Sequence, residues 1–240
     1  MSTFVLIHGA WHGAWCWNKV VPLLAERGHS VRTVDLPGHG DDDTPVSEVT
    51  LSAYADRVCD AVAEQEEPVV LVGHSMGGIA ITQAAEQIPE KLHGLVYVTA
   101  FLLPAGANLF ETAQQDADAI VLPNLVVNEE QGTATLPTDR VGEIFYADCT
   151  EEDARFAAER LVPQPLAPFM TPLSHTEQNF GRVPRTYIEC SRDRAISLAA
   201  QRRMHGALPC RRVVTMESAH SPFFSRPDEL AAHLHEAATE

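Results

Sequence analysis

The strongest chemical signal in this chain is a serine set among glycines. The run Gly73-His74-Ser75-Met76-Gly77, followed by Gly78, comes directly after the apolar stretch 68–72 and directly before a helical pattern. That strand–turn–helix setting is what a G-x-S-x-G nucleophile turn requires. Glycines leave room for a sharp turn, and the turn lifts the Ser75 hydroxyl clear of the backbone. The helix N-terminus behind it favours developing negative charge. The bland alternative is a Gly-rich turn without chemistry, and the flanking strand and helix argue against it.

A serine hydroxyl needs a base to take its proton. In this kind of winding the partners follow in the order Ser, acid, His. Six histidines lie beyond Ser75: His93, His175, His205, His220, His233 and His235. His93 precedes the fourth strand, at the wrong end of the sheet, and His205 falls inside a helix. His233 and His235 sit in the last helix, and His175 lies in a long inserted segment. His220 occupies Glu217-Ser218-Ala219-His220-Ser221-Pro222. This is the loop after the last strand, where active sites of open α/β sheets gather. The acid is expected at the end of the preceding strand, in Ser191-Arg192-Asp193-Arg194-Ala195. Asp193 is the natural choice, one helix and one strand ahead of His220. Glu189 and Glu217 are its rivals, and a surface ion pair with Arg192 or Arg194 is its other meaning. An Asp there would hold the imidazole tautomer and stabilise the imidazolium. Attack by serine also creates an oxyanion that needs two backbone N–H donors. One is Met76, after the nucleophile; the other is Ala10, in the loop His8-Gly9-Ala10-Trp11 after the first strand. His8 and His74 read as packing and hydrogen-bonding residues.

Elements must carry these residues to one place. Short apolar runs at 3–7, 30–35, 68–72, 94–100, 185–190 and 211–216 predict strands buried on both faces. Helical patterns fall between them at 17–27, 51–65 with Thr50 as N-cap, 75–88 and 195–207. A last helix is predicted from the capping-box pattern Ser225-Arg226-Pro227-Asp228 to about 238. Alternating strands and helices imply an α/β fold with a mostly parallel sheet of about six strands. Residues 102–182 break the rhythm and are too long for a structureless loop. This segment is Pro-rich, carries 13 acidic residues against four Arg, and has a helix start at Thr150-Glu151-Glu152-Asp153. We read it as a helical cap inserted after the fourth strand, with 1–101 and 183–240 as the core of a single domain. Phe101, Leu102, Phe145, Phe169, Met170, Phe223 and Phe224 are candidates equally for pocket wall and ordinary core.

The 240 residues carry a formal net charge of −16, which argues against nucleic acid or an anionic membrane as partner. No run approaches the ~20 apolar residues that span a bilayer. The first seven residues lack the basic region of a signal peptide. Cysteines 16, 59, 149, 190 and 210 form no CxxC and support neither a disulfide framework nor a zinc site. A cytoplasmic chain acting on a small molecule, without cofactor or metal, is the expectation. Residues 182–212 hold eight Arg, so the acidity is concentrated in the insertion.

The opening His8-Gly9-Ala10-Trp11-His12-Gly13-Ala14-Trp15-Cys16-Trp17 resembles that of the α/β-hydrolases that include plant methylesterases and hydroxynitrile lyases. So do Gly73–Gly78, Ser191-Arg192-Asp193-Arg194-Ala195-Ile196 with Gln201, and the Ala219-His220 loop. The resemblance implies Ser75 as nucleophile, Asp193 as acid, His220 as base, and Ala10 and Met76 as oxyanion donors. It also suggests a homodimer. Hydroxynitrile lyases of this type place a Lys directly after the catalytic His, where this chain has Ser221, and Gly9 is the hydrolase-like choice. Ester hydrolysis is therefore favoured over a lyase or carbon–carbon tailoring reaction at the same site, and over a non-enzymatic receptor of hydrolase fold.

Overall fold

The structure is a computed structural model and describes residues 1–239. The first half runs β1 (Thr3–Ile7), α1 (Val20–Glu26), β2 (Ser30–Val34), α2 (Leu51–Ala63), β3 (Val69–His74), α3 (Gly77–Gln87) and β4 (Leu92–Val98). The insertion holds α4 (Leu109–Gln114), β5 (Val126–Asn128), β6 (Thr133–Thr135), α5 (Thr138–Phe145), α6 (Glu151–Ala158), β7 (Gln164–Pro165) and α7 (Ala167–Met170). The chain then returns through β8 (Arg185–Cys190), α8 (Leu198–Ala207), β9 (Arg212–Met216), α9 (Pro222–Ser225) and α10 (Pro227–Ala237).

Six strands form one wholly parallel sheet in the order β2-β1-β3-β4-β8-β9. The order reverses at β1, since β2 lies on one side of it and β3 on the other. Right-handed crossovers then place α1 on one face and α2, α3 and α8 on the opposite one. α10 packs against α1, and α2 against α3, so both faces are covered. That is why the strand interiors are almost continuously apolar: Phe4 to Ile7 and Val69 to Val72 are buried throughout. The reversal also opens a crevice between the C-terminal ends of β1 and β3, the usual ligand position in open sheets. In register, Ile7 lies beside Gly73, and His74 beside Val98.

Several boundaries differ from the sequence expectation, each for a local reason. β4 ends at Val98 rather than at 100, because Thr99 turns out of the strand with φ +38°. α3 begins at Gly77 rather than Ser75, whose φ of +52° is not helical. α8 begins at Leu198 with Ser197 as N-cap, because the preceding N–H groups of Ala195 and Ile196 are bound to the Asp193 carboxylate. The capping box at Ser225 does not form. Ser225 closes α9 and turns its hydroxyl toward Ser218 and the Ser221 carbonyl, and α10 starts at Pro227 without a side-chain cap. The insertion is not purely helical: β5, β6 and β7 form a small antiparallel sheet beside its helices. Thr150 does cap α6, accepting the Asp153 N–H at 3.1 Å.

Candidate active site

Ser75 sits at the end of β3 with a left-handed backbone that non-glycine residues seldom adopt. Its N–H donates to Val98 O (3.3 Å), and its carbonyl accepts from Gly78 N–H and Phe101 N–H, both at 3.1 Å. The tightness of the turn explains its glycines. A Cβ on Gly73 would lie 2.7 Å from Gly77 O, and one on Gly77 would lie 2.7 Å from His8 O.

Asp193 follows β8 in a turn fixed by Gln201, whose amide spans Cys190 N–H, Cys190 O and Ile196 O at 2.9, 3.1 and 2.8 Å. Its buried carboxylate has four donors. Oδ1 accepts from Ala195 N–H (2.6 Å) and Ile196 N–H (3.0 Å). Oδ2 accepts from the Thr99 hydroxyl (2.5 Å) and from His220 Nδ1–H (2.6 Å). Because Nδ1 keeps its proton and donates it to the carboxylate in a hydrogen bond, His220 Nε2 is the nitrogen with the free lone pair. Backbone contacts bring His220 to the nucleophile turn. His74 Nε2–H donates to the His220 carbonyl at 2.8 Å, and the two rings lie 4.6 Å apart.

The competing residues are occupied elsewhere. Glu189 is buried among Arg202, His205 and Thr215. Glu217 pairs with Arg192 on the surface. His175 donates to Leu103 O, His233 faces Glu229 and Glu236, and His235 meets His29. His93 is exposed, at the opening end of β4.

Ala10 and Met76, the two expected oxyanion donors, line one pocket with Ser75. Among the described residues neither backbone N–H donates to a protein acceptor. The pocket wall is apolar, with Trp11, Phe101, Leu109, Phe145, Phe169 and Ile196, and no charged residue belongs to it. A second cavity of about 210 Å³ adjoins it and shares Phe101, Ala113, Val121, Leu122, Ala195 and Ile196. Asp116 borders that cavity, but both its oxygens are engaged by Ser197. Of the aromatic and aliphatic candidates, Phe101, Phe145 and Phe169 line the pocket. Leu102 is core, Met170 is exposed, and Phe223 and Phe224 pack against Trp17 and Trp15.

Three residues that the motifs do not mark, and His12 of the opening motif, also build the site. Thr99 binds Asp193, as above. Asp148 Oδ2 accepts Ala219 N–H at 2.9 Å and so holds the His220 loop from the insertion. Gln164 is buried on β7, where Oε1 accepts from Trp11 N–H (3.3 Å) and meets His39 Nε2 (2.8 Å). Its Nε2 donates to Tyr54 OH at 3.2 Å. His12 binds the Ala10 carbonyl through Nδ1. Thr99 has a positional signal, as the first residue past a parallel strand's C-terminus; Asp148 and Gln164 depend on contacts between distant segments.

A model described as the alpha/beta hydrolase family matches residues 4–233. Methylesterase 7 of Arabidopsis thaliana is 34% identical over 98% of this chain and 95% of its own. The pyrethroid hydrolase of Sphingobium wenxiniae is 32% identical over 96% of this chain and 85% of its own. The solved structure of a pyrethroid hydrolase from Sphingobium faniae JZ-2 superposes with a TM-score of 0.87 at 30% identity, covering 99% of this chain and 97% of that one. With a strained serine turn at the crevice of a six-stranded parallel sheet and an Asp–His pair after its last two strands, the chain belongs to the α/β-hydrolase family, among its esterase-type enzymes.

Proposed function

We propose that this protein is a serine hydrolase that cleaves small, neutral carboxylic esters through an acyl-enzyme on Ser75. The observation that carries the reading is the 2.6 Å contact between His220 Nδ1–H and Asp193 beside the left-handed Ser75 turn. It leaves His220 Nε2 as base for the serine proton. Ser75 Oγ attacks the ester carbonyl carbon, the carbonyl electrons move to oxygen, and His220 takes the hydroxyl proton. The free N–H groups of Ala10 and Met76 are the donors for that oxygen. Collapse expels the alkoxide, which leaves as alcohol with the proton from His220. Water, deprotonated by His220, then attacks the acyl carbon and frees the acid and Ser75.

The apolar wall favours a substrate without charge near the scissile bond, and the adjoining cavity offers room for a second apolar group. Cyanide-releasing chemistry lacks its cation. Lys19 is paired with Asp153 at 2.6 Å, and Lys91 precedes β4, at the end of the sheet opposite the site. A panel of p-nitrophenyl esters tests the reading: wild-type protein hydrolyses short-chain members, and Ser75→Ala lowers kcat by about 10⁴-fold or more. Ester hydrolysis that survives Ser75→Ala refutes the acyl-enzyme.

A further inference from the structure

We infer that the insertion is more than a cover: through Tyr146 and His12 it holds the peptide that presents the Ala10 N–H, which makes both side chains positioning residues for the oxyanion donor. The inference rests on the esterase reading of the site.

The loop after β1 is pinned by two buried imidazoles in succession. His8 Nδ1–H donates to Gly9 O at 2.7 Å, while His8 Nε2 accepts Leu36 N–H at 3.1 Å. His12 Nδ1–H donates to Ala10 O at 2.7 Å. In a trans peptide the C=O and the following N–H point opposite ways, so fixing Gly9 O aims Ala10 N–H. Fixing Ala10 O sets the next plane, so both peptides flanking the Ala10 Cα are held.

The His12 hydrogen bond depends on which nitrogen carries the proton. Tyr146, directly after α5, donates its hydroxyl to His12 Nε2 at 2.8 Å and so keeps the proton on Nδ1. Burial pushes His12 down to about 3 and the Tyr146 phenol well above its usual range, so both groups are neutral, as this direction of donation requires. Trp15 stacks on the His12 ring at 5.3 Å, and Phe145 packs edge-on against it at 5.5 Å. Trp11, the next residue, has φ +63° and makes its hydrogen bonds to the insertion: its Nε1–H to Ala134 O, its N–H to Gln164 and its carbonyl to Val162 N–H. The segment 10–12 is thus fastened by residues of the insertion at four places. Ordinary core packing would account for burial of these rings, but not for two successive carbonyls each receiving an imidazole N–H.

Kinetics on p-nitrophenyl butyrate, with a trifluoromethyl ketone as reversible analogue of the tetrahedral adduct, tests the link. In Tyr146→Phe, kcat falls about tenfold with KM within about twofold, less than the ~10²–10³-fold cost of deleting an oxyanion donor. The inhibition constant of the ketone rises by the same factor as kcat falls. His12→Asn, whose amide N–H can replace Nδ1–H toward Ala10 O, keeps more kcat than His12→Leu. If Tyr146→Phe does not fold, the Asn and Leu variants decide by the same two readouts. Unchanged kcat and ketone inhibition in Tyr146→Phe, a loss confined to KM, or His12→Leu equal to His12→Asn overturns the inference and leaves the esterase reading standing. A wild-type protein inert toward both ester and ketone overturns both.

Discussion

At the scale of single residues, the site is organised around one carboxylate. Asp193 is buried and receives four donors, of which only His220 belongs to the expected catalytic set. The other three place the carboxylate and offset its desolvation. Thr99 is the informative member, because it is β-branched at φ +38° and its N–H is held by Ile188 O at 2.8 Å. A strained residue that hands its hydroxyl to a buried charge contributes to stability and little to the chemical step. Thr99→Val is therefore expected to lower the unfolding free energy by about 1.5–3 kcal/mol, as for a hydrogen bond to a charged group. Its kcat falls by less than about tenfold. Asp193→Asn has the opposite profile, a kcat loss of about 10⁴-fold from a reversed imidazole tautomer with a smaller change in stability. Chemical denaturation and steady-state kinetics on the two variants check the contrast; a larger kcat loss in Thr99→Val than in Asp193→Asn would contradict it.

At the scale of elements, what was legible in the sequence is what local chemistry dictates. The glycines around Ser75, the apolar strand before it and the order Ser75, Asp193, His220 along the chain were enough to place all three at strand C-termini, with Ala10 and Met76 in the same pocket. The misjudged boundaries at β4, α3 and α8 have one cause. Residues 75, 99 and 195–196 look helical or extended by composition, but the site spends their backbone on the serine turn, the Thr99 turn and the Asp193 cradle. The insertion was least legible. Its strands have two or three residues, too few to show a period of two, and Gln164–Pro165 pairs with Thr133 and Ala134 about thirty residues earlier. Pro137 and Pro163 punctuate it without naming a partner, so the helix start at Thr150 is visible and the other helices and the sheet are not. His12 was read within a resemblance motif, while the phenol that sets its tautomer lies 134 positions away.

At the scale of the whole molecule, the active-site edge is built on neutral, buried histidine. His8, His12, His39 and His74 are almost fully enclosed, and burial lowers each below the ordinary histidine value. Unfolded histidine takes its proton near 6.5, whereas native His12 stays neutral down to about 3. Between those values the unfolded chain binds more protons, so stability rises with pH and is lost on acidification from about 6.5 downward. Each such imidazole adds at most about 1.4 kcal/mol per pH unit. The thermal midpoint is expected to fall steadily from pH 7 to pH 5, and a flat or rising midpoint over that interval, read by calorimetry, argues against neutral burial. Among the described residues no helix is long and apolar enough to cross a membrane. The insertion also reaches both halves of the site, holding the Ala10 loop through Tyr146, Gln164 and Ala134, and the His220 loop through Asp148. All of this matters for catalysis only if Ser75 is a nucleophile. Labelling the folded protein with a fluorophosphonate, followed by intact-mass and peptide mass spectrometry, asks that directly. One adduct per chain, mapped to Ser75 and absent from Ser75→Ala, is the expected result. Folded wild-type protein that stays unlabelled, or that carries its adduct on another residue, contradicts the assignment.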